Sequence, residues 1–238
     1  MAFNQSVFTT RSITAIFFVV IMLTALLWND VSVWGLVLVL HAGCWAEYER
    51  IIRALKSSVF FILFGLVYLT LSWFFFIDLH QHPLLYNVST GLPAPAWLQF
   101  PLWILLCMWV NDTMAYLVGS FIGKTPLSPI SPKKTWEGTL GGIVLTVVVV
   151  GGAAHYWLGT LVPLGHTQPV SPVHWYIFSL LAAIAGIWGD LLESKFKRVA
   201  GLKDSGSILP GHGGFLDRFD SLLLATPISW LYWQLLLA

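Results

Sequence analysis

Charge is scarce in this chain. Only 10% of its 238 residues are Asp, Glu, Lys or Arg, while 57% are hydrophobic. A soluble globular domain carries about 25% charged residues, so the deficit excludes that class and points to several membrane-crossing segments. Cysteine is nearly missing as well. Cys44 and Cys107 both lie in apolar surroundings, offer neither a disulfide framework nor zinc-ligand spacing, and read as small core hydrophobes. No repeat at a solenoid-like period and no soluble-domain stretch is present. The apolar run from Ile13 to Trp28, flanked by Arg11, ends in Leu-Leu-Trp-Asn-Asp. It lacks the small residues of a signal-peptide cleavage site, so a retained first span is expected.

What is present is a series of long apolar segments. A bilayer core of about 30 Å needs ~20 apolar residues in helix. Suitable segments occur near residues 12–29, 31–46, 57–77, 97–123, 139–162, 174–193 and 220–237. The stretches Pro93-Ala94-Pro95, Pro126 to Pro132 and Pro169 to Pro172 punctuate them. The expected fold is an all-α polytopic membrane bundle of seven spans, the fourth open to a break near Asn111-Asp112. Residues 1–96 carry spans without a diagnostic motif, and 97–238 form the motif-bearing region. All twelve Lys and Arg fall on one side of this arrangement: Arg11, Arg50, Arg53, Lys56, Lys124, Lys133, Lys134, Lys195, Lys197, Arg198, Lys203 and Arg218. By the positive-inside rule that side, with the N-terminus, is cytoplasmic. The thirteen Trp are expected at the interfaces or between helices.

The scarce charges are concentrated. Ten of them, with His212, lie between Asp190 and Asp220. Asp190 ends an apolar segment, at a depth where an ionised side chain needs a polar cavity or a partner. If its helix continues to Arg198, then Asp190, Glu193, Ser194 and Lys197 share one face. Asp190 then serves as a metal ligand, pairs with Lys197, or reaches to water. Asp217 and Asp220 are three apart at the start of the last helix. They suit metal ligation or, alternatively, simple stabilisation of the helix N-terminus. Oxygen-only ligands match Mg²⁺ or Mn²⁺ rather than Zn²⁺. Between these groups, the amides of Pro210-Gly211-His212-Gly213-Gly214 could cradle phosphate. Asp112, a second intramembrane carboxylate, faces the same cavity or caps a helix break. Gly119-Ser-Phe-Ile-Gly123-Lys124-Thr125 is one residue short of a P-loop and follows an apolar helix, so it reads as a small-residue helix contact.

Two stretches also carry a family likeness. The first is Ser194-x-x-Lys197-Arg198, four residues, Lys203-Asp204, five residues, then Pro210-Gly211-His212-Gly213-Gly214-x-x-Asp217-Arg218-x-Asp220. The second is Trp109-x-x-Asp112-x-x-Ala115-Tyr116-x-x-Gly119, followed by Ser131-Pro132-Lys133-Lys134-Thr135-Trp136-Glu137-Gly138 and Gly141-Gly142. Together they resemble the signature of the phosphatidate cytidylyltransferase (CDP-diacylglycerol synthase) family. The resemblance implies cytidylyl transfer from CTP to phosphatidate at the cytoplasmic face of a bacterial inner membrane, with Mg²⁺ or Mn²⁺ as cofactor. It implies catalytic roles for Asp190, Lys197, Asp217 and Asp220, with Asp190, Asp217 and Asp220 on the metal. Lys133, Lys134, Arg198, Lys203, His212, Gly213, Gly214 and Arg218 would bind substrate, supported by Asp112, Glu137, Glu193, Ser194 and Asp204. Lys197, Arg198 and Lys203 are expected at an exposed surface, each cheap to remove for stability. CTP, phosphatidate and the bilayer are the expected partners, with a homodimer as the candidate assembly and no nucleic acid. Two rivals stay open: a CTP-dependent lipid or prenol kinase, and a transporter or scaffold. A CDP-alcohol phosphotransferase is disfavoured, because its Asp-Gly-x-x-Ala-Arg sequence is missing.

Overall fold

A computed structural model describes residues 5–55, 59–81, 85–87, 100–159, 161–163, 169–206, 208 and 213–237. Its described residues form seven helical rods: α1 (Gln5–Trp28), α2 (Asp30–Ala54), α3 (Val59–Gln81), α4 (Phe100–Ile122), α5 (Trp136–Leu158), α6 (Pro172–Val199) and α7 (Leu216–Leu237). Each of the seven apolar segments thus becomes one rod. Five of them, α2 to α6, are long and apolar enough to cross a membrane, and Ile13–Trp28 is a shorter apolar helix. The protein is an integral membrane helical bundle. α4 runs unbroken through Asn111 and Asp112, so the expected alternative of two short helices is not adopted.

Local chemistry sets the helix starts. Between α1 and α2 the turn is the single residue Asn29, whose side chain accepts from Ser32 N at 2.9 Å while Ser32 Oγ accepts from Asn29 N. That reciprocal cap satisfies two amides which the helix cannot. Thr135 starts α5 in the same way, accepting from Gly138 N at 3.1 Å, and Pro172 occupies the first turn of α6. Two short antiparallel ribbons depart from the expected purely helical pattern. β1 (Leu85–Asn87) pairs with β4 (Leu161–Pro163), and β2 (Pro126–Ser128) pairs with β3 (Ser131–Thr135).

Two helix pairs hold the site. α4 and α5 meet through small residues, since a Cβ on Gly138 would stand 2.6 Å from Ala115 O and 2.9 Å from Gly119 Cα. α6 crosses α7 as closely, with Gly189 against the backbone of Asp220 and Ser221. Such contacts drive association where lipid removes the hydrophobic incentive. Away from the site, Phe100, Phe178, Trp175 and Trp233 fill a buried aromatic cluster, Phe100 and Trp233 having centroids 4.4 Å apart. Other indoles, including Trp28, Trp136 and Trp188, stand exposed, so the expected packing between helices accounts for part of the tryptophan. The N-terminal and C-terminal regions are packed together. Tyr68 Oη donates to Asp220 O at 3.2 Å, and Ser72 Oγ to Leu223 O.

Described parts of the connections without Lys or Arg lie together. His80 Nε2 lies 3.2 Å from Asp30 Oδ1, and β1 pairs with β4. At the opposite end of the bundle Lys134 meets Asp190, and Glu47 meets Phe215.

Candidate active site

A cavity of about 450 Å³ opens between α4, β3, α5 and α6. Asp112, Lys133, Lys134 and Asp190 supply its charges, with Asn111, Tyr116, Ser131 and Thr139 as further polar lining. β3 carries Lys133 and Lys134 on the cavity lining, and it is anchored at the open end of its ribbon. Trp136 N donates to Thr125 O at 2.9 Å. Glu137 accepts from Lys124 N, Thr125 N and Thr125 Oγ1, at 2.8 Å for the hydroxyl. The expected supporting residue Glu137 therefore ties the end of α4 to the start of α5.

α6 does continue past Asp190, which brings Asp190, Glu193, Ser194 and Lys197 onto one face. Asp190 pairs with Lys134 rather than with Lys197, and accepts from Ser194 Oγ at 3.2 Å. Lys197 sits between Glu193 and Asp217, its Nζ 2.5 Å from Glu193 Oε2 and from Asp217 Oδ1. It is buried, which corrects the expectation of an exposed, cheaply removed cation. Arg198 and Lys203 are exposed as expected, Arg198 Nη1 donating to Leu202 O at 3.1 Å. Asp204 and Arg218 are also exposed.

Asp217 turns back onto its own loop. Besides Lys197, it accepts from Gly214 N at 2.9 Å and Ser205 N at 3.0 Å. Phe215 N and Leu216 N donate to Glu47 on α2, at 3.0 and 2.9 Å. Of the amides expected to cradle phosphate, that of Gly214 is thus taken by Asp217, and the two amides that follow the glycines are taken by Glu47. Gly213 has φ +82°, a conformation that side chains disfavour. His212, with Pro210 and Gly211, lies outside the described residues.

Asp220 is buried one turn further along α7, its Oδ1 accepting from Ser221 N. Asp190, Glu193 and Asp112 all lie within electrostatic reach of it. Four carboxylates thus converge where α4, α6 and α7 meet. Among the described residues no three His, Cys, Asp or Glu side chains are arranged to hold a metal ion. The expected trio Asp190, Asp217 and Asp220 is not drawn together as one ligand set here: Asp217 is held by Lys197 and its loop, and Asp190 by Lys134 and Ser194. The donor chemistry still fits a hard divalent cation, which takes one or two carboxylates and leaves its other positions to phosphate and water.

Two residues escaped the sequence reading. Asn111 Oδ1 is buried beside the cavity without a hydrogen-bond partner. Glu47, only 5% exposed, carries the loop before α7. Its sequence signal was weak, because Glu47 falls just past the apolar segment 31–46 and among Glu49, Arg50 and Arg53, where it reads as one more charge of the helix end. A second cavity of about 490 Å³ adjoins the first through Thr139 and Ile187, and Ile143, Ile184, Trp188 and Leu191 make it apolar. Lys195 stands on its lining.

Residues 95–236 match the family model described as the cytidylyltransferase family. A phosphatidate cytidylyltransferase of Synechocystis sp. is 42% identical over 133 residues, covering 55% of this chain and 42% of that protein. One from Helicobacter pylori is 44% identical over 122 residues, covering 51% and 42%. One from Staphylococcus aureus is 34% identical over 212 residues, covering 83% and 76%. The matched chain spans less than half the length of the first two relatives and about three quarters of the third.

Proposed function

The chain belongs to the cytidylyltransferase family, and from that premise we propose that it transfers the cytidylyl group of CTP to phosphatidate. A phosphate oxygen of the lipid attacks the α-phosphorus of CTP, the bond to the β-phosphate oxygen breaks, and pyrophosphate leaves. CDP-diacylglycerol stays in the bilayer. One observation carries the reading: a charged cavity holding Lys133, Lys134, Asp112 and Asp190 that shares a wall with an apolar groove. That pairing suits a substrate with an anionic head and hydrocarbon chains.

The residues divide the work by position. Lys133 and Lys134 gather the nucleotide phosphates from β3. Lys134 is held by Asp190, so its ammonium is placed before substrate arrives, which is the preorganisation that electrostatic catalysis requires. Asp190 and Asp220 would hold Mg²⁺ or Mn²⁺, two carboxylates being what such an ion takes, with phosphate oxygens and water filling its other positions. The ion would neutralise charge on the phosphates and orient them for in-line displacement. Asp217 keeps Lys197 and the preceding loop in place. Ile143, Ile184, Trp188 and Leu191 offer the acyl chains an apolar bed, with Lys195 near the lipid phosphate. No general base is needed, since a phosphate monoester is already anionic near neutral pH. The charged end faces the cytoplasm in this reading, where CTP is found, and the membrane is the bacterial inner membrane.

The test uses purified protein in liposomes containing phosphatidate, with Mg²⁺ and CTP labelled at the α-phosphate. The expected result is label in the lipid fraction with an equal release of pyrophosphate. Label appearing as CDP would instead mark a CTP-dependent lipid kinase.

A further inference from the structure

We infer that Glu47, on a helix without any motif residue, is a positioning residue of the active site, holding Ser205–Gly206 to Gly214–Leu216 and through them the first turn of α7. The inference rests on the cytidylyltransferase reading. The carboxylate is buried and takes three donors from these two stretches: Ser205 Oγ at 2.6 Å, Phe215 N at 3.0 Å and Leu216 N at 2.9 Å. Ser205 links it onward, because its own N–H donates to Asp217. Asp217 in turn holds Lys197, and Asp220 follows one turn later.

The surrounding backbone is shaped to this carboxylate. A Cβ on Gly206 or Gly214 would overlap the Glu47 carboxylate, so both glycines serve the close approach. One helical turn earlier, Gly43 leaves room for the Phe215 ring. α2 therefore presents one docking face, Gly43 and Glu47, to the loop. The anion that this helix start would otherwise attract from solution is built in.

Lys133 and Lys134 reach the cavity on β3, with no contact to Glu47. Removing the Glu47 charge should consequently spare nucleotide binding and misplace the carboxylates of α7. Glu47→Gln keeps the size but sets an NH₂ group against N–H and O–H donors. Its expected effect is a kcat about 100-fold lower with the KM for CTP within about threefold, as for a misplaced reacting geometry. Glu47→Asp, which retains the charge, should recover part of the rate. Amide hydrogen exchange in the membrane-embedded protein provides the second readout. Segment 205–216 should exchange faster in Glu47→Gln while α4 and α5 keep their protection. Gly206→Ala pushes a methyl against the carboxylate from the other side and should give the same pattern. A kcat reduced by less than about threefold in Glu47→Gln would overturn the inference. So would exchange that rises equally across all helices, or a variant unable to fold while Gly206→Ala behaves as wild type. If the unaltered protein makes no CDP-diacylglycerol, the functional reading fails, and exchange at 205–216 decides the hold of Glu47 on its own.

Discussion

Lys197 shows how burial changes the meaning of a basic residue. Its ammonium lies between Glu193 and Asp217, both within 2.5 Å, and Glu193 is almost wholly buried. Lys197→Met would leave two carboxylates facing each other without a cation. Breaking a buried pair in this way costs about 3–5 kcal/mol, so the variant should show a lower thermal midpoint in detergent as well as a lost rate. Asp220 should behave in the opposite sense. It is a buried carboxylate within electrostatic reach of Asp190, Glu193 and Asp112, an arrangement that like charges disfavour. Asp220→Asn should therefore keep or raise the thermal midpoint while cutting cytidylyl transfer ~100-fold through the lost cation site. A well-folded variant retaining half the rate at limiting Mg²⁺ would remove Asp220 from the ligand role. Activity should also vanish in excess EDTA and return with Mg²⁺, because the cavity offers hard oxygen donors.

Among the helices, the α4–α5 and α6–α7 contacts carry the precision of the site. Gly138 lies on Ala115 O and Gly119 Cα, whereas Gly35 on α2 has nothing within 4 Å of where its Cβ would stand. Gly138→Ala should destabilise by about 1–3 kcal/mol through forced separation of the helices. Gly35→Ala should be neutral or stabilising by up to about 1 kcal/mol, since Ala outranks Gly in a helix interior. Thermal unfolding in detergent separates the two. The Gly119–Gly123 stretch that mimics a P-loop belongs to this same packing: Gly119 and Gly123 both lie against Thr135. The β2–β3 ribbon is the element least visible in sequence. Its Pro and Ser residues signal a turn, yet the pairing of Pro126 with Thr135 depends on Glu137 closing the ends.

At the scale of the whole molecule, the one-sided distribution of Lys and Arg agrees with an alternating bundle. Asp30 meets His80 at one end, while Lys134, Asp190, Glu47 and Phe215 gather at the other. With seven crossings and a cytoplasmic N-terminus, a reporter fused after Ala238 should score on the outer side. A cytoplasmic signal there would show one crossing too many.

Sequence alone determined the class of protein, the seven helical rods, the end of the bundle that bears the chemistry, and most of the residues that gather there. These are legible because apolar length, helix period and the cost of intramembrane charge are local properties, written into consecutive residues. Tertiary structure decided how those residues are paired. Asp190 takes Lys134 from a ribbon 56 residues away, Lys197 takes Asp217, and the amides of Gly214 to Leu216 go to Asp217 and Glu47. Which carboxylate meets which cation follows from helices packed at glycine-lined contacts, and sequence separation carries no record of that distance. Glu47 is the clearest case: it stands 168 residues before Phe215, yet one buried carboxylate joins them.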